Sequence, residues 1–228
     1  MKHGKSYRKA AEMVDKQKFY PLSEAVALAK KSSAVKFDAA MEVHINLNLD
    51  VKKADQVIRM PLSLPHGTGK QVRVAAFVSE GKVKECQAAG ADLVGLEDLI
   101  KEVGKGKIDF DIAVAEPTVM AEIGKVAKVL GQKGLMPSPK AGTVTPDPAK
   151  VIKEIKAGRL ELKTDPSGIV HGIFGKVSWD ESKLYENAKA FIQAVIAAKP
   201  SGAKGTYVNS IGLASSMGPG INVDPKQL

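Results

Sequence analysis

The 228-residue chain carries 34 Lys and Arg against 25 Asp and Glu, a net charge of +9, with 44% hydrophobic residues. That size and apolar share suit one large domain or two small ones, and the basic excess suits a polyanionic partner. No apolar run approaches a membrane span, the N-terminus has no apolar signal core, and the lone Cys86 excludes an internal disulfide and a zinc cluster; a reducing cytoplasm fits.

The first 36 residues read as helical and basic, with nine Lys/Arg against three acids. Pro21 splits them into two helices, and Ser23 is the expected N-cap of the second. "FDAAMEVHINLNLD", residues 37–50, alternates strictly and predicts a long strand with one buried face and one open face. Phe37, Met41, Val43, Ile45 and Leu47 fall on the buried parity; Glu42 and His44 fall on the open one, solvated or part of a binding surface. "QVIRMPLSL" predicts a second strand, running into "LPHGTGKQVRVAAF". That glycine-rich turn resembles a phosphate loop only superficially. Gln71 follows Gly69-Lys70 where a hydroxyl should stand, Leu64 occupies the position of the first glycine, and a strand follows rather than a helix.

From Val72 the texture changes to short apolar strands alternating with helices: "VRVAAFV", "GKVKECQAAG", "ADLVG", "LEDLIKEVGKG", "FDIAVAE" and "TVMAEIGKVAKVL". This predicts a Rossmann-like parallel α/β unit, although no G-x-G-x-x-G follows its first strand. Cys86 reads there as a plain helix residue. After the loop "GQKGLMPSPKAGTVTPDP", Thr145 or Asp147 is expected to cap a helix that Gly158 ends. "RLELKTDPSGIVHGIFGKVSW" then predicts a hairpin around "DPSG", followed by a helix capped by Ser178 or Asp180 and a last strand, "TYVNSIGLASSM".

Parallel βα material flanked by hairpin material has a simple solution. Residues 1–66 and 159–228 form one split domain, an α/β sandwich of α+β character built from both chain ends, and residues 67–158 form an inserted Rossmann-like parallel α/β domain. His66, Gly67 and Gly69 mark the outgoing hinge and Gly158 the return. Residues 67–158 carry 14 Lys/Arg and 12 Asp/Glu, a net +2, which leaves +7 for the split domain. The split domain is therefore the expected footprint for a polyanion.

"FDAAMEVHINLNLDVKKADQVIRMPLSLPHGTGK", "GLMPSPKAGTVTPD" and "GAKGTYVNSIGLASSMGPGINVD", in that order, resemble the bacterial large-subunit ribosomal protein L-one family over nearly the whole chain. The resemblance implies a non-enzymatic protein with two hinged domains, without a cofactor or metal, and a monomer when free of the ribosome. It implies binding to large-subunit ribosomal RNA at the mobile stalk beside the tRNA exit site, help with exit of deacylated tRNA, and repression of its own messenger RNA. It places the RNA surface on the split domain, at Lys36, Phe37 and Glu42; at Lys163, Thr164, Asp165, Ser167 and Gly168; and at Ser216, Met217, Gly218 and Pro219. Serine stands at 216 where the family has threonine, which keeps the hydroxyl and drops a methyl.

The residues themselves suggest why the terminal tract matters. From Gly205 to Pro225 the only charge is Asp224, so the tract cannot neutralise phosphate. Small residues, hydroxyls and Met217 suit shape readout of ribose and base; a frayed strand with a Gly/Pro tail is the plainer expectation. The histidines His3, His44, His66 and His171 form no catalytic spacing with acids or hydroxyls. The alternative is a two-domain α/β enzyme holding a nucleotide in an interdomain cleft, which would need a helix N-terminus at "EPT" or "TPD" to face phosphate.

Overall fold

The computed structural model describes residues 4–53, 55–203 and 205–225; Lys2, His3, Ala54 and Lys204 lie outside them. In chain order the elements are α1 (Lys5–Glu12), α2 (Leu22–Lys31), β1 (Ala40–Leu47), β2 (Arg59–Ser63), β3 (Val74–Phe77), α3 (Val83–Ala88), β4 (Leu93–Gly95) and α4 (Glu97–Gly104). Then follow β5 (Ile112–Ala115), α5 (Met120–Ile123), α6 (Ala127–Gln132), α7 (Pro148–Lys156), β6 (Arg159–Lys163), β7 (Ile169–Lys176), α8 (Glu181–Ala197), β8 (Val208–Ser215) and β9 (Ile221–Val223). The chain divides into two compact α/β units: 1–69 with 162–228, and 70–161.

In the first unit an antiparallel sheet runs β7-β1-β8-β9. Met41, Val43, Ile45 and Leu47 are buried, alternating along β1 with half-buried positions, because α2 and α8 cover one face only. Phe174, Leu184, Phe191, Ile192, Ile211 and Leu213 complete that core. The hydrophobic parity fixes the register: His44 lies level with His171 on one side and with Gly212 on the other.

In the second unit a parallel sheet runs β4-β3-β5, buried on both faces. Phe77, Leu99, Val103, Phe110, Ile123 and Leu130 fill one side. Val74, Val78, Cys86, Val114, Ile152 and Ile155 fill the other, so Cys86 is a packing residue, and burial pushes its thiol pKa up.

Several local expectations need correction. Helix α2 begins at Leu22 with Pro21 in the N-cap position, so Ser23 lies inside the first turn; the fixed φ of proline suits a helix entrance. Residues 36–37 form a bend before β1, and Phe37 is 59% exposed. The helix expected over residues 118–130 is broken into α5, α6 and 3-10 turns, one of which starts at Gly124. Asp147 and Asp180 occupy N-cap positions but make no side-chain cap bond. The Ser178 hydroxyl donates instead to Asp38.

The predicted hairpin forms only at its tip. β6 pairs with β2, not β7, and a single bridge, Thr164 to Val170, joins the hairpin arms. The Gly/Pro tail is not frayed: β9 pairs antiparallel with β8, and Tyr20 bridges to Val223.

Candidate nucleic-acid interface

The face of the antiparallel sheet away from α2 and α8 has no covering element among the described residues, and it carries the sequence-derived candidates in two groups. β1 has seven residue steps between its ends, so the groups stand about 20 Å apart.

At the start of β1 lie Lys36 and Phe37, both exposed, on a segment held by Asp38, which accepts from the backbone N–H and the hydroxyl of Ser178. Beside it is the β8–β9 turn. The Ser216 N–H donates to the Ala40 carbonyl at 2.9 Å, and its hydroxyl donates to Glu42 Oε1 at 3.0 Å. Met217 follows with φ +64°, the one positive value at a non-glycine among the described residues, and is 79% exposed. Gly218 N–H closes the turn onto the Ser215 carbonyl at 2.7 Å; a Cβ on Gly218 would stand 2.3 Å from Ser215 Oγ. Pro219 is buried. A flexible side chain held outward on a strained backbone is a departure from the relaxed choice, glycine, and points toward a role in contact.

At the far end of β1 is the turn of residues 165–168. Asp165 Oδ1 accepts from Ser167 N–H at 2.9 Å and from Ile169 N–H at 2.7 Å; these bonds, that of Ile169 foremost, hold its carboxyl below the usual carboxylate range. Gly168 has φ +81° and its carbonyl accepts from Leu47, which docks the turn on β1. Lys163 and Ser167 are exposed. Thr164 is buried at 4%, its hydroxyl accepting from Ile58 N–H and donating to the Ile58 carbonyl, so it holds the turn from beneath.

Sequence reasoning left His44 as an unassigned open-face residue and gave His171 no partner. The two rings meet, Nδ1 to Nδ1, at 2.8 Å midway between the groups. Burial and the charge of His171 push the His44 pKa down, against the pull of Glu42. The even parity of β1 put His44 on the open face, but pairing with His171 depends on a register invisible in the sequence.

The "PHGTGK" tract is an anchored turn up to Gly69. Asn187 of α8, fully buried, accepts from His66 N–H at 3.1 Å and donates to the carbonyls of Gly67 and Phe174 at 2.8 Å. Gly69 has φ +71°, and a Cβ there would meet Trp179 Cζ2 at 2.8 Å. Gly158, at the return, has φ +107° and follows the C-cap residue of α7.

The second unit is ill suited to phosphate where a parallel sheet usually holds it, beyond the C-terminal strand ends. Glu116, just past β5, is buried; its Oε1 accepts from Lys82 at 3.0 Å and its Oε2 from the Ser79 hydroxyl at 2.9 Å. The Lys82 contact chiefly holds its carboxyl below the usual range, so an anion already fills that edge. "TPD" leads into α7 with Pro148 at its first turn, which removes one free N–H. Among the described residues no group of three or more His, Cys, Asp or Glu is placed to hold a metal, and no helix is long and apolar enough to cross a membrane.

A family model described as "Ribosomal protein L1p/L10e family" matches residues 28–219. The chain is 51% identical to the large ribosomal subunit protein uL1 of Thermobifida fusca over 225 residues, covering 99% of this chain and 96% of that one. It is 51% identical to uL1 of Streptococcus gordonii, covering 100% and 99% of the two chains, and 50% identical to uL1 of Mycolicibacterium smegmatis, covering 98% and 95%. With half of all positions shared across essentially the whole length, and the model spanning β1 through the Met217 turn, the chain belongs to the ribosomal protein L1p/L10e family.

Proposed function

We propose that the chain is a structural component of the large ribosomal subunit that binds ribosomal RNA through the open face of its split unit. On this reading residues 1–66 with 159–228 are the RNA-binding domain and residues 67–158 the inserted domain, joined by a hinge in which His66, Gly67 and Gly69 form the anchored base of the outgoing strand, the chain turning beyond Gly69, and Gly158 marks the return. The bound RNA is the mobile stalk beside the tRNA exit site, where the protein assists departure of deacylated tRNA; the same surface recognises its own messenger RNA and represses translation.

The observation that carries this reading is the Met217 turn: an apolar side chain 79% exposed on a left-handed backbone, hydrogen-bonded through Ser216 to Glu42 on the open face. Met217 and Phe37 supply apolar contact to base or ribose, while hydroxyls and carboxylates accept from 2′-hydroxyls and base amino groups. Lys36 and Lys163 stand at opposite ends of β1, where phosphates flanking the contact would pass. The charge division, +2 for residues 67–158 and +7 for the remainder, favours the same unit. The test is filter binding of the whole protein to the stalk segment of large-subunit ribosomal RNA against an unrelated duplex of equal length. Preference for the stalk segment by tenfold or more supports the reading, and equal affinity overturns it.

A further inference from the structure

A chain of four titratable groups crosses the open face. The inner contact is His44 Nδ1 to His171 Nδ1 at 2.8 Å. The outer nitrogens face carboxylates: His44 Nε2 stands 3.7 Å from Glu42 Oε2, and His171 Nε2 stands 3.4 Å from Asp165 Oδ2. Beyond them, Glu42 accepts the hydroxyl of Ser216 and Asp165 accepts the N–H groups of its own turn. The chain therefore links the Met217 turn to the Asp165 turn.

The two hydrogen-bonded contacts, between the rings and from His171 to Asp165, need two N–H groups, and an ion pair between His44 and Glu42 at 3.7 Å calls for a third, while a neutral imidazole has one. With two neutral rings, either the inner contact has no hydrogen or one outer nitrogen turns its lone pair toward a carboxylate. One added proton satisfies all three contacts. A further one would set two N–H groups against each other at 2.8 Å. The pair is thus built to take one extra proton between its two rings and to resist a second. The charged groups paired with the rings are Glu42 on β1 and Asp165 before β7. On the other side, β8 sets the uncharged Ser210, Gly212 and Ala214 level with Asn46, His44 and Glu42.

We propose that His44 and His171 share one positive charge that positions Glu42 and Asp165 for RNA, so that binding weakens as this proton leaves. The link to RNA rests on the functional reading above; the shared proton rests on geometry alone. Below the pair's titration both carboxylates face N–H donors. Above it either the inner contact loses its hydrogen or one carboxylate faces a lone pair, and in both cases the tie across the sheet is broken.

The histidine ring resonances of the whole protein, followed by NMR from pH 5 to 9, test the first part. A single step common to His44 and His171 is expected, and two independent steps near the ordinary imidazole value would overturn the shared proton. Affinity for the ribosomal RNA stalk segment at pH 6.5 and 8.5 tests the second. About a fivefold or greater weakening at the higher pH is expected, the scale of one charge-assisted contact. The double variant His44→Gln, His171→Gln should show at most half that pH response. An equal pH response in that variant overturns the positioning role. Wild-type protein that binds no RNA at any pH, yet shows the single ring step, overturns the functional reading and leaves the shared proton standing.

Discussion

Replacing Met217 separates contact from fold. Its side chain is 79% exposed, so about four-fifths of its apolar surface remains to be buried against a partner. Full burial of a methionine side chain is worth about 1.5–3 kcal/mol, which leaves about 1–2 kcal/mol for the partner. Met217→Ala should therefore weaken specific RNA binding by about 5- to 30-fold. The fold should hardly notice, because only about 0.5 kcal/mol of burial exists in the free protein. Met217→Gly relieves the left-handed backbone, worth about 1–2 kcal/mol, but raises unfolded-chain entropy by about 0.5–1 kcal/mol. It should melt within a few degrees of wild type and yet lose the same RNA affinity. The assay is calorimetry across a salt series, with thermal unfolding of each variant. The salt slope should stay fixed, since no phosphate contact is removed. Wild-type affinity for both variants at every salt concentration would refute the contact role of this turn.

Lys36→Ala should behave in the opposite way, lowering affinity for specific and unrelated RNAs alike and flattening the salt slope by about one unit. Asn187→Ala should destabilise the first unit by about 2–4 kcal/mol, read by urea unfolding, because His66 N–H and two carbonyls lose a buried partner together; a loss below 0.5 kcal/mol would mean water replaces the amide. In the second unit Glu116, Asp92 and Asp111 have carboxyls held below their ordinary values, by Lys82, by Lys156 and by Arg73 N–H respectively. Depressed values mean stability that is present above about pH 4.5 and lost as pH falls through the lower folded values. Glu116→Gln should therefore narrow the gap in melting temperature between pH 7 and pH 3, and an unchanged gap would show that Glu116 does not report on folding.

What could be read from the sequence was what a single strand or helix decides for itself. The alternation through Met41, Val43, Ile45 and Leu47 predicted both β1 and its open face, and the succession of short apolar strands and helices from Val72 predicted the parallel α/β unit that holds β3 and β5. Phe37 shared the buried parity of β1, but the strand starts three residues later and parity has no meaning in a bend. The partner of β6 was misread because turn chemistry at "DPSG" is local, while pairing with β2 is decided a hundred residues away. Asn187 sat unnoticed on an amphipathic helix: its three bonds lie on the buried side, where an amide reads as an exception to the apolar pattern.

The clasp between Tyr20 and β9 bears on how the protein is made. Tyr20 N–H donates to the Asn222 carbonyl, Asp224 N–H returns to the Tyr20 carbonyl, and the Asn222 amide reaches the Lys16 carbonyl. β1 waits likewise for β7 and β8, more than 120 residues downstream. During synthesis the segment 70–161 has every strand of its own sheet before β7 emerges, so it can fold while the earlier residues remain without partners. The open face comes into being only after the Met217 turn has been translated. On the proposed reading, a chain cut short before that point carries the basic N-terminal segment without the RNA-contacting face, and should not compete with finished molecules for RNA.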